Sequence, residues 1–319
     1  MSPISAEIRD RSILFPIYSG LFFLFKFGGM IDPSEATAYE HNLVSNFVEE
    51  TRLHGDPVHY SRALAMQAEF YTRQGQFEDA LYCHEKLKRV YDVKKHSALV
   101  IEAYASDRSA QNYGNGANSL YRLGRVQESL ELSYLVLDRI MPQMDLKNVH
   151  NSMIMIYPIL WILQSEKMPK RALLALEQYV FEPFRLYFGD KGKTPLMVIY
   201  KPLKVLFSIQ MFTMGELESF DDSLIQWASQ PDTLNFVNAI DNAMANYGRC
   251  ASSIGAEVCL FLSKLTNDQN TFEKQLIEKG WMLAQKAMKT AMNCGVNQTT
   301  YFMTKSVHDE LSSLFESTS

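Results

Sequence analysis

The stretch "RQGQFEDAL" (Arg73–Leu81) recurs as "RLGRVQESL" (Arg122–Leu130), 49 positions further on. A chain that writes one nine-residue pattern twice builds one local unit twice. The correspondence extends beyond the nine residues. With Ala80 as reference, Ala68 lies twelve residues before it, Tyr71 nine, Gly75 five and Phe77 three. With Ser129 as reference, the same offsets give Ala117, Leu120, Gly124 and Val126. Each copy reads as two apolar-periodic segments joined at a glycine. Small residues at the reference position and twelve before it let two antiparallel helices cross closely, since a larger side chain would push the axes apart. The glycine supplies the left-handed conformation that ends the first helix. Phe77 and Val126 then cover their turns.

This pattern resembles the helix pair of tetratricopeptide repeats (TPR). Two weaker copies flank the strong ones. "GGMIDPSEATAYEHNLVSNF" places Ala36 at the reference position, and "SEKMPKRALLALEQYVF" places Ala172 there. The references at 36, 80, 129 and 172 are spaced 44, 49 and 43 residues apart, against about 34 in a standard unit. Each unit therefore carries extra residues. Between Ala80 and Ser129 the surplus is "YDVKKHSALVIEAYASDRS".

Glycine and proline are sparse, 15 and 11 in 319 residues, and helical periodicity recurs along the chain. Helices are expected over 12–27, 34–54, 58–74, 77–92, 96–105, 109–123, 126–140, 146–165, 169–186, 194–213, 219–229, 233–248, 251–265, 269–294 and 298–316. One helix pair cannot bury its own apolar face, so neighbours must stack. The predicted fold is all-α: a leader over 1–11, a right-handed TPR-like α-solenoid over 12–232, and a helical segment over 233–319 packing on it.

The surplus segment carries a second likeness. "YDVKKH" (Tyr91–His96), "YASDRSA" (Tyr104–Ala110) and "ANSLYRLGRVQESL" (Ala117–Leu130) together resemble a recurring block. That block belongs to the C-terminal TPR region of large proteins joining a class III adenylate/guanylate cyclase domain to an AAA/STAND-type ATPase. "SGLFFLFKFGG" and "HGDP" (His54–Pro57) are similar to the preceding repeat of that region. The likeness spans about residues 13–190. It departs at Val93, where the family has Pro, and at Arg108-Ser109, where it has Pro-Gly. The resemblance implies a non-catalytic scaffold in cyclic-nucleotide or STAND-ATPase signalling. The cyclase and ATPase domains lie upstream in that family, and neither has a counterpart in this sequence.

Searches for chemistry find little. The net charge of −5 lacks the basic footprint of a nucleic-acid binder. Cys83, Cys250, Cys259 and Cys294 form no C-x-x-C pair, so no zinc or redox site is expected. "GDKGKT" (Gly189–Thr194) lacks the first glycine of a phosphate-binding loop, Tyr187 standing in its place, and follows no strand. The seven histidines show no metal-ligand spacing. His84 reads as a core histidine, and His96 and Asp107 as loop-bracing hydrogen bonders. Met153, Met155, Trp161 and "YKPLKVLFSIQMFTMG" (Tyr200–Gly215) read as core between stacked helices. No enzyme, cofactor or metal is expected. The apolar stretch Ile13–Ile31 approaches membrane-span length but is broken by Pro16, Ser19, Gly20, Lys26, Gly28 and Gly29. It is expected to be a buried helix, in a soluble cytoplasmic protein. The alternatives are a membrane-associated adaptor anchored through Leu14–Phe27, and an enzyme with a pocket between repeats.

The expected partner is a protein or peptide held on the concave face, which the first helix of each pair lines. The offsets place Arg62, Glu69 and Arg73 there in one pair, and Gln111, Asn118, Tyr121 and Arg122 in the next. A clamp for a C-terminal carboxylate needs paired Lys and Asn. Asn118 fits, but Ala65 and Gly114 stand where Lys is required. Arg73 and Arg122 precede the turn glycines, where a cation favours the helix C-terminus or meets an acidic partner.

Overall fold

A computed structural model describes residues 11–27, 33–144, 149–189, 203–211, 214–217, 251–265, 271–293 and 298–318. Every regular element among them is helical, and none is a strand. The chain divides into two compact units, Met1–Ile162 and Leu163–Ser319. The expected boundary at 232–233, the helices at 219–229 and 233–248, and nearly all of the leader lie outside the described residues.

The first unit runs through α1 (Phe15–Phe27), α2 (Pro33–His54), α3 (Pro57–Gln74), α4 (Phe77–Val90), α5 (Val93–Tyr104), α6 (Arg108–Arg122), α7 (Val126–Leu135) and α8 (Val149–Ser165), whose last turn crosses into the second unit. Three aspartates start three of these helices. Asp56 accepts from the Val58 amide at 2.7 Å, Asp92 from Lys95 at 3.2 Å and Asp107 from Ala110 at 2.9 Å. Each satisfies an amide that the first helical turn leaves without an intrahelical partner.

The repeated nonapeptide is a repeated helix end. Gly75 and Gly124 both take φ 75°. The residue after each donates its amide to the carbonyl five residues back: Gln76 to Tyr71 and Arg125 to Leu120, both at 2.9 Å. The same bond recurs from Met168 to Leu163 at 2.8 Å, with Lys167 at φ 57° in the glycine position. It recurs again from Glu216 to Met211 at 2.8 Å, after Gly215 at φ 73°. Three of these turns sit five residues before Ala80, Ser129 and Ala172. The fourth, five residues before Phe220, matches none of the reference positions read from the sequence.

Packing follows the pairing. α1 packs on α2, α3 on α4 and α6 on α7; α3 also packs on α1 and α2, and α6 on α3 and α4. Ala68, Ala80, Ala117, Ser129 and Ala172 are all buried. At the second crossing the Ser129 hydroxyl donates to the Ala117 carbonyl at 2.7 Å, so a polar residue occupies the small-residue site without an unmet hydrogen bond. Leu120 is buried, while Tyr71, Phe77 and Val126 are half-buried over their turns. Phe15, Phe22, Val44, Phe47, Ala63, Met66 and Phe70 form one apolar cluster under α1. α1 has 13 residues, and among the described residues no helix is long and apolar enough to cross a membrane.

The segments expected as single helices over 126–140 and 169–186 are interrupted by π-turns, Val136–Ile140 and Glu177–Phe181. In each, the residue before a proline donates five residues back: Met141 to Val136 and Glu182 to Glu177. Pro142 and Pro183 have no amide hydrogen for the carbonyls of Asp138 and Tyr179, and the widened turn accommodates that loss.

In the second unit, α9 (Pro169–Leu176) continues through its π-turn into α10 (Glu182–Phe188), and residues 203–211 form α11. α12 (Ala251–Leu265), α13 (Thr271–Asn293) and α14 (Gln298–Thr318) pack on one another. A Cβ on Gly280 would lie 2.7 Å from Cys259 Cβ and one on Gly255 2.9 Å from Leu283, so both glycines mark close crossings. Trp281 donates to Ser312 Oγ at 3.1 Å and stacks on Phe315.

Candidate interaction face

The residues expected on the concave face do not share one environment. Three of them lie inside the protein. Arg62 is 0% exposed. It donates to Ser19 Oγ from Nη2 at 2.6 Å and from Nε at 3.2 Å, and its guanidinium lies 5.1 Å from the Tyr104 ring centre. Burial, and then the charge of Arg108, lower its pKa to about 10, while Glu69, Tyr104 and Asp107 favour the cation. Gln111 and Tyr121 are buried as well. Tyr121 meets Trp161 edge-on at 5.1 Å.

The other four are half-buried. Glu69 pairs with Arg108 at 3.8 Å. Arg73 pairs with Glu40 and lies over the rings of Phe22 and Phe70. Arg122 lies 4.6 Å from the Trp161 ring centre. Arg73 and Arg122 thus keep equivalent roles in two copies. Each ends a first helix and covers an aromatic ring of its own chain.

The surplus segment explains much of this. It forms α5, which packs on α1, α3 and α6, the first helices of three successive pairs. A network of polar side chains fastens it. The Tyr91 hydroxyl donates to the buried Asp107 carboxylate, and Ser97 adds a further hydrogen bond. Burial raises the pKa of Asp107 despite these bonds, and burial together with Asp107 drives that of Tyr91 far up. At the other end of α5, the Tyr104 hydroxyl lies 2.7 Å from His59 Nδ1. Behind it, Ser109 Oγ donates to Ser61 Oγ at 3.1 Å, and Ser61 to the Val58 carbonyl. His96 Nδ1 accepts the Asp92 amide at 2.9 Å, so His96 and Asp107 do brace the two ends of this segment.

Helix α6 is closely enclosed on two sides. A Cβ on Gly114 would lie 2.3 Å from the Met155 carbonyl oxygen on α8. A Cβ on Gly116 would lie 2.8 Å from the His84 ring on α4. Backbone therefore occupies the space a Lys at 114 would need, and Ala65 is buried, which removes both cationic positions of a carboxylate clamp. His84 is buried, accepts from Asn112 Nδ2 at 3.4 Å, and is held by burial at a pKa of about 4, so it is neutral at pH 7. The pattern "YGNGA" (Tyr113–Ala117) carried the signal: two glycines inside a helix mark close approach.

Met155, Trp161, Leu206, Phe207 and Met211 are buried, in keeping with the core reading of the Met- and aromatic-rich stretches. The side chain of Met153 and residues 190–202, including Asp190–Thr194 of "GDKGKT", lie outside the described residues. Cys83 and Cys259 are buried free thiols whose pKa burial pushes up to about 12. Among the described residues no group of His, Cys, Asp and Glu is placed to hold a metal ion. The chain matches no protein-family model, no curated protein and no solved structure.

Proposed function

We propose that the chain is a non-catalytic protein-interaction and regulatory scaffold built of TPR-like helix pairs. The observation that carries this reading is the recurrence of one helix end at Gly75, Gly124, Lys167 and Gly215, with first helices packing on both helices of the preceding pair. Such an array offers area and shape to a partner rather than a reacting group. The likeness of Tyr91–His96, Tyr104–Ala110 and Ala117–Leu130 to the arms of cyclase/ATPase proteins supports an intracellular setting in cyclic-nucleotide or STAND-ATPase signalling.

Because α5 covers first helices that a standard array leaves open, the contact surface shifts to the outward side of α5. That side presents Lys94, Lys95, Leu99 and Glu102, all exposed. Two adjacent cations beside an aliphatic residue fit a peptide or protein segment with acidic and apolar groups. The test is affinity capture from native extract with the full chain, with Lys94→Glu/Lys95→Glu and Leu99→Asp beside it. These positions lie outside the core, so the variants should fold. Specific polypeptides held by the wild type and lost from both variants support the reading. Identical capture by all three proteins overturns it.

A further inference from the structure

Helix α5 lies on the first helices α1, α3 and α6, yet little of it is buried against them. Its buried residues are Val93, Ser97 and Val100, whereas half of α3 and most of α6 are buried. Polar contacts fasten its two ends. Near the start, the Tyr91 hydroxyl and Ser97 bond the Asp107 carboxylate. At the finish, the Tyr104 hydroxyl lies 2.7 Å from His59 Nδ1, and its ring lies 5.1 Å from the Arg62 guanidinium. Each end also has a non-helical joint. Tyr91-Asp92 is extended, and Ala105 stands at φ 58°, a conformation that strains a residue with a Cβ.

We propose that α5 is a strap that opens as one unit about these two joints, and that when closed it fills the place of a partner segment on α3 and α6. Opening it differs physically from opening a core helix. Val93 and Val100 lose their cover, but water reaches the Arg62 guanidinium and the Asp107 carboxylate. Rehydrating buried charged groups offsets the hydrogen bonds given up, and Ala105 is free to leave its strained conformation. An element held in this way opens well below the free energy of global unfolding. The uncovered groups also define what can take its place. Asp107 needs a hydroxyl donor and Arg62 an aromatic ring, with aliphatic side chains between them. The occupant is therefore an amphipathic helical segment with the chemistry of α5 itself. That it comes from another polypeptide rests on the scaffold reading above; the opening does not.

Native-state hydrogen exchange of the full chain tests the opening. The α5 amides should exchange at least about 100-fold faster than the core amides of α6. Tyr91→Phe removes one fastening and should speed α5 exchange about tenfold. Val136→Ala supplies the contrast, because Val136 is buried in the turn after α7. It should speed α6 exchange at least about tenfold through global stability and leave α5 within about twofold. If α5 exchanges as slowly as α6, or accelerates with it in Val136→Ala, the strap is refuted. The occupant is tested with a synthetic peptide of residues 90–105, added to the full chain with a Gly-Ser linker in place of 91–105. Circular dichroism checks that this chain is folded. It should bind the peptide, and should bind a Tyr91→Phe/Tyr104→Phe peptide at least about tenfold more weakly. A folded linker chain that ignores the peptide overturns the proposal. So does a linker chain that fails to fold, since α5 is then part of the core. No outside partner enters these readouts. Their failure leaves the scaffold reading standing, and failure of the extract capture leaves the strap standing.

Discussion

Replacing Gly114 with Ala adds one methyl group to α6 and tests how tightly α8 closes on it. In an open helix the change would stabilise by about 1 kcal/mol, since alanine costs less backbone entropy than glycine. Here the new Cβ would lie 2.3 Å from the Met155 carbonyl oxygen and 3.3 Å from its carbon. Overpacking costs about 1–3 kcal/mol when side chains can adjust. The partner at this site is backbone, so the cost falls at or above the upper end of that range. The net expectation is a loss of about 2 kcal/mol, or a fall of roughly 4–8 °C in Tm for a unit of this size. Gly20→Ala is the internal control. Nothing lies within 4 Å of its Cβ position, so the propensity gain of about 0.5–1 kcal/mol should appear undiminished. Gly116→Ala should fall between the two, because its obstacle is the His84 side chain. With two compact units, a single global melt does not isolate the effect. Hydrogen exchange of the α6 amides, read beside the melting curve, assigns the loss to the right helix. If Gly114→Ala is as stable as the wild type within about 0.5 kcal/mol, the close approach of α6 and α8 is wrong.

The turn residues give a second test: Gly75→Ala and Gly124→Ala should each cost about 1–2 kcal/mol through their positive φ. Lys167→Gly should instead gain up to about 1 kcal/mol, since relief of that strain outweighs the added chain entropy; chemical denaturation measures all three. Tyr91→Phe leaves the buried Asp107 one donor short and should cost about 1–3 kcal/mol, together with faster exchange of the α5 amides. His84 supplies a pH dependence. Its folded-state pKa is lowered to about 4 from 6.5, so its contribution is complete above pH 6.5. It is lost as pH falls toward 4, roughly 3 kcal/mol in all. Asp107 and Glu257, whose pKa values burial raises, change stability with the opposite sign. The clean readout is therefore the difference between wild type and His84→Gln, which should shrink as pH falls from 6.5 to 4 and be constant above 6.5; a difference that does not vary with pH would sink the assignment.

Most helices could be read from the sequence because their ends are written in residue types with one physical use. Asp56-Pro57, Asp92 and Asp107 start helices, and Gly75, Gly124 and Gly215 end them. Lys167 shows where such reading stops. It adopts the same left-handed conformation without being glycine, so only the position of Ala172 pointed to its turn. The π-turns were hidden for a different reason. Pro142 and Pro183 are consistent with a helix end, a kink or a widened turn, and the choice among these rests on how the surrounding helices pack. Ser19 was read as an interruption of an apolar stretch, yet it is the hydrogen-bond acceptor of a fully buried guanidinium 43 residues away. No local pattern encodes that pairing.

The assignment of Arg62, Gln111 and Tyr121 to an open face rested on offsets from a unit of about 34 residues. In a chain whose units run to 43–49, the offsets still fix which helix a residue occupies and which way it points. They do not fix what it meets there. The surplus between Ala80 and Ser129 is long enough for one more helix, and a helix carrying Val93, Val100, Ile101 and Tyr104 must bury them against something. The first helices of the neighbouring pairs supply that surface. Arg62 then faces Tyr104 instead of solvent, and α8 encloses the far side of α6 in the same way, with Trp161 over Tyr121. The extra length that marks these units thus accounts for α1, α3 and α6 being partly covered by the chain itself. It also explains why a charge-reversal at Arg73 or Arg122 would report on folding before it reported on binding. The informative surface variants are those on the outward side of α5, where Lys94, Lys95 and Leu99 are not needed for the core.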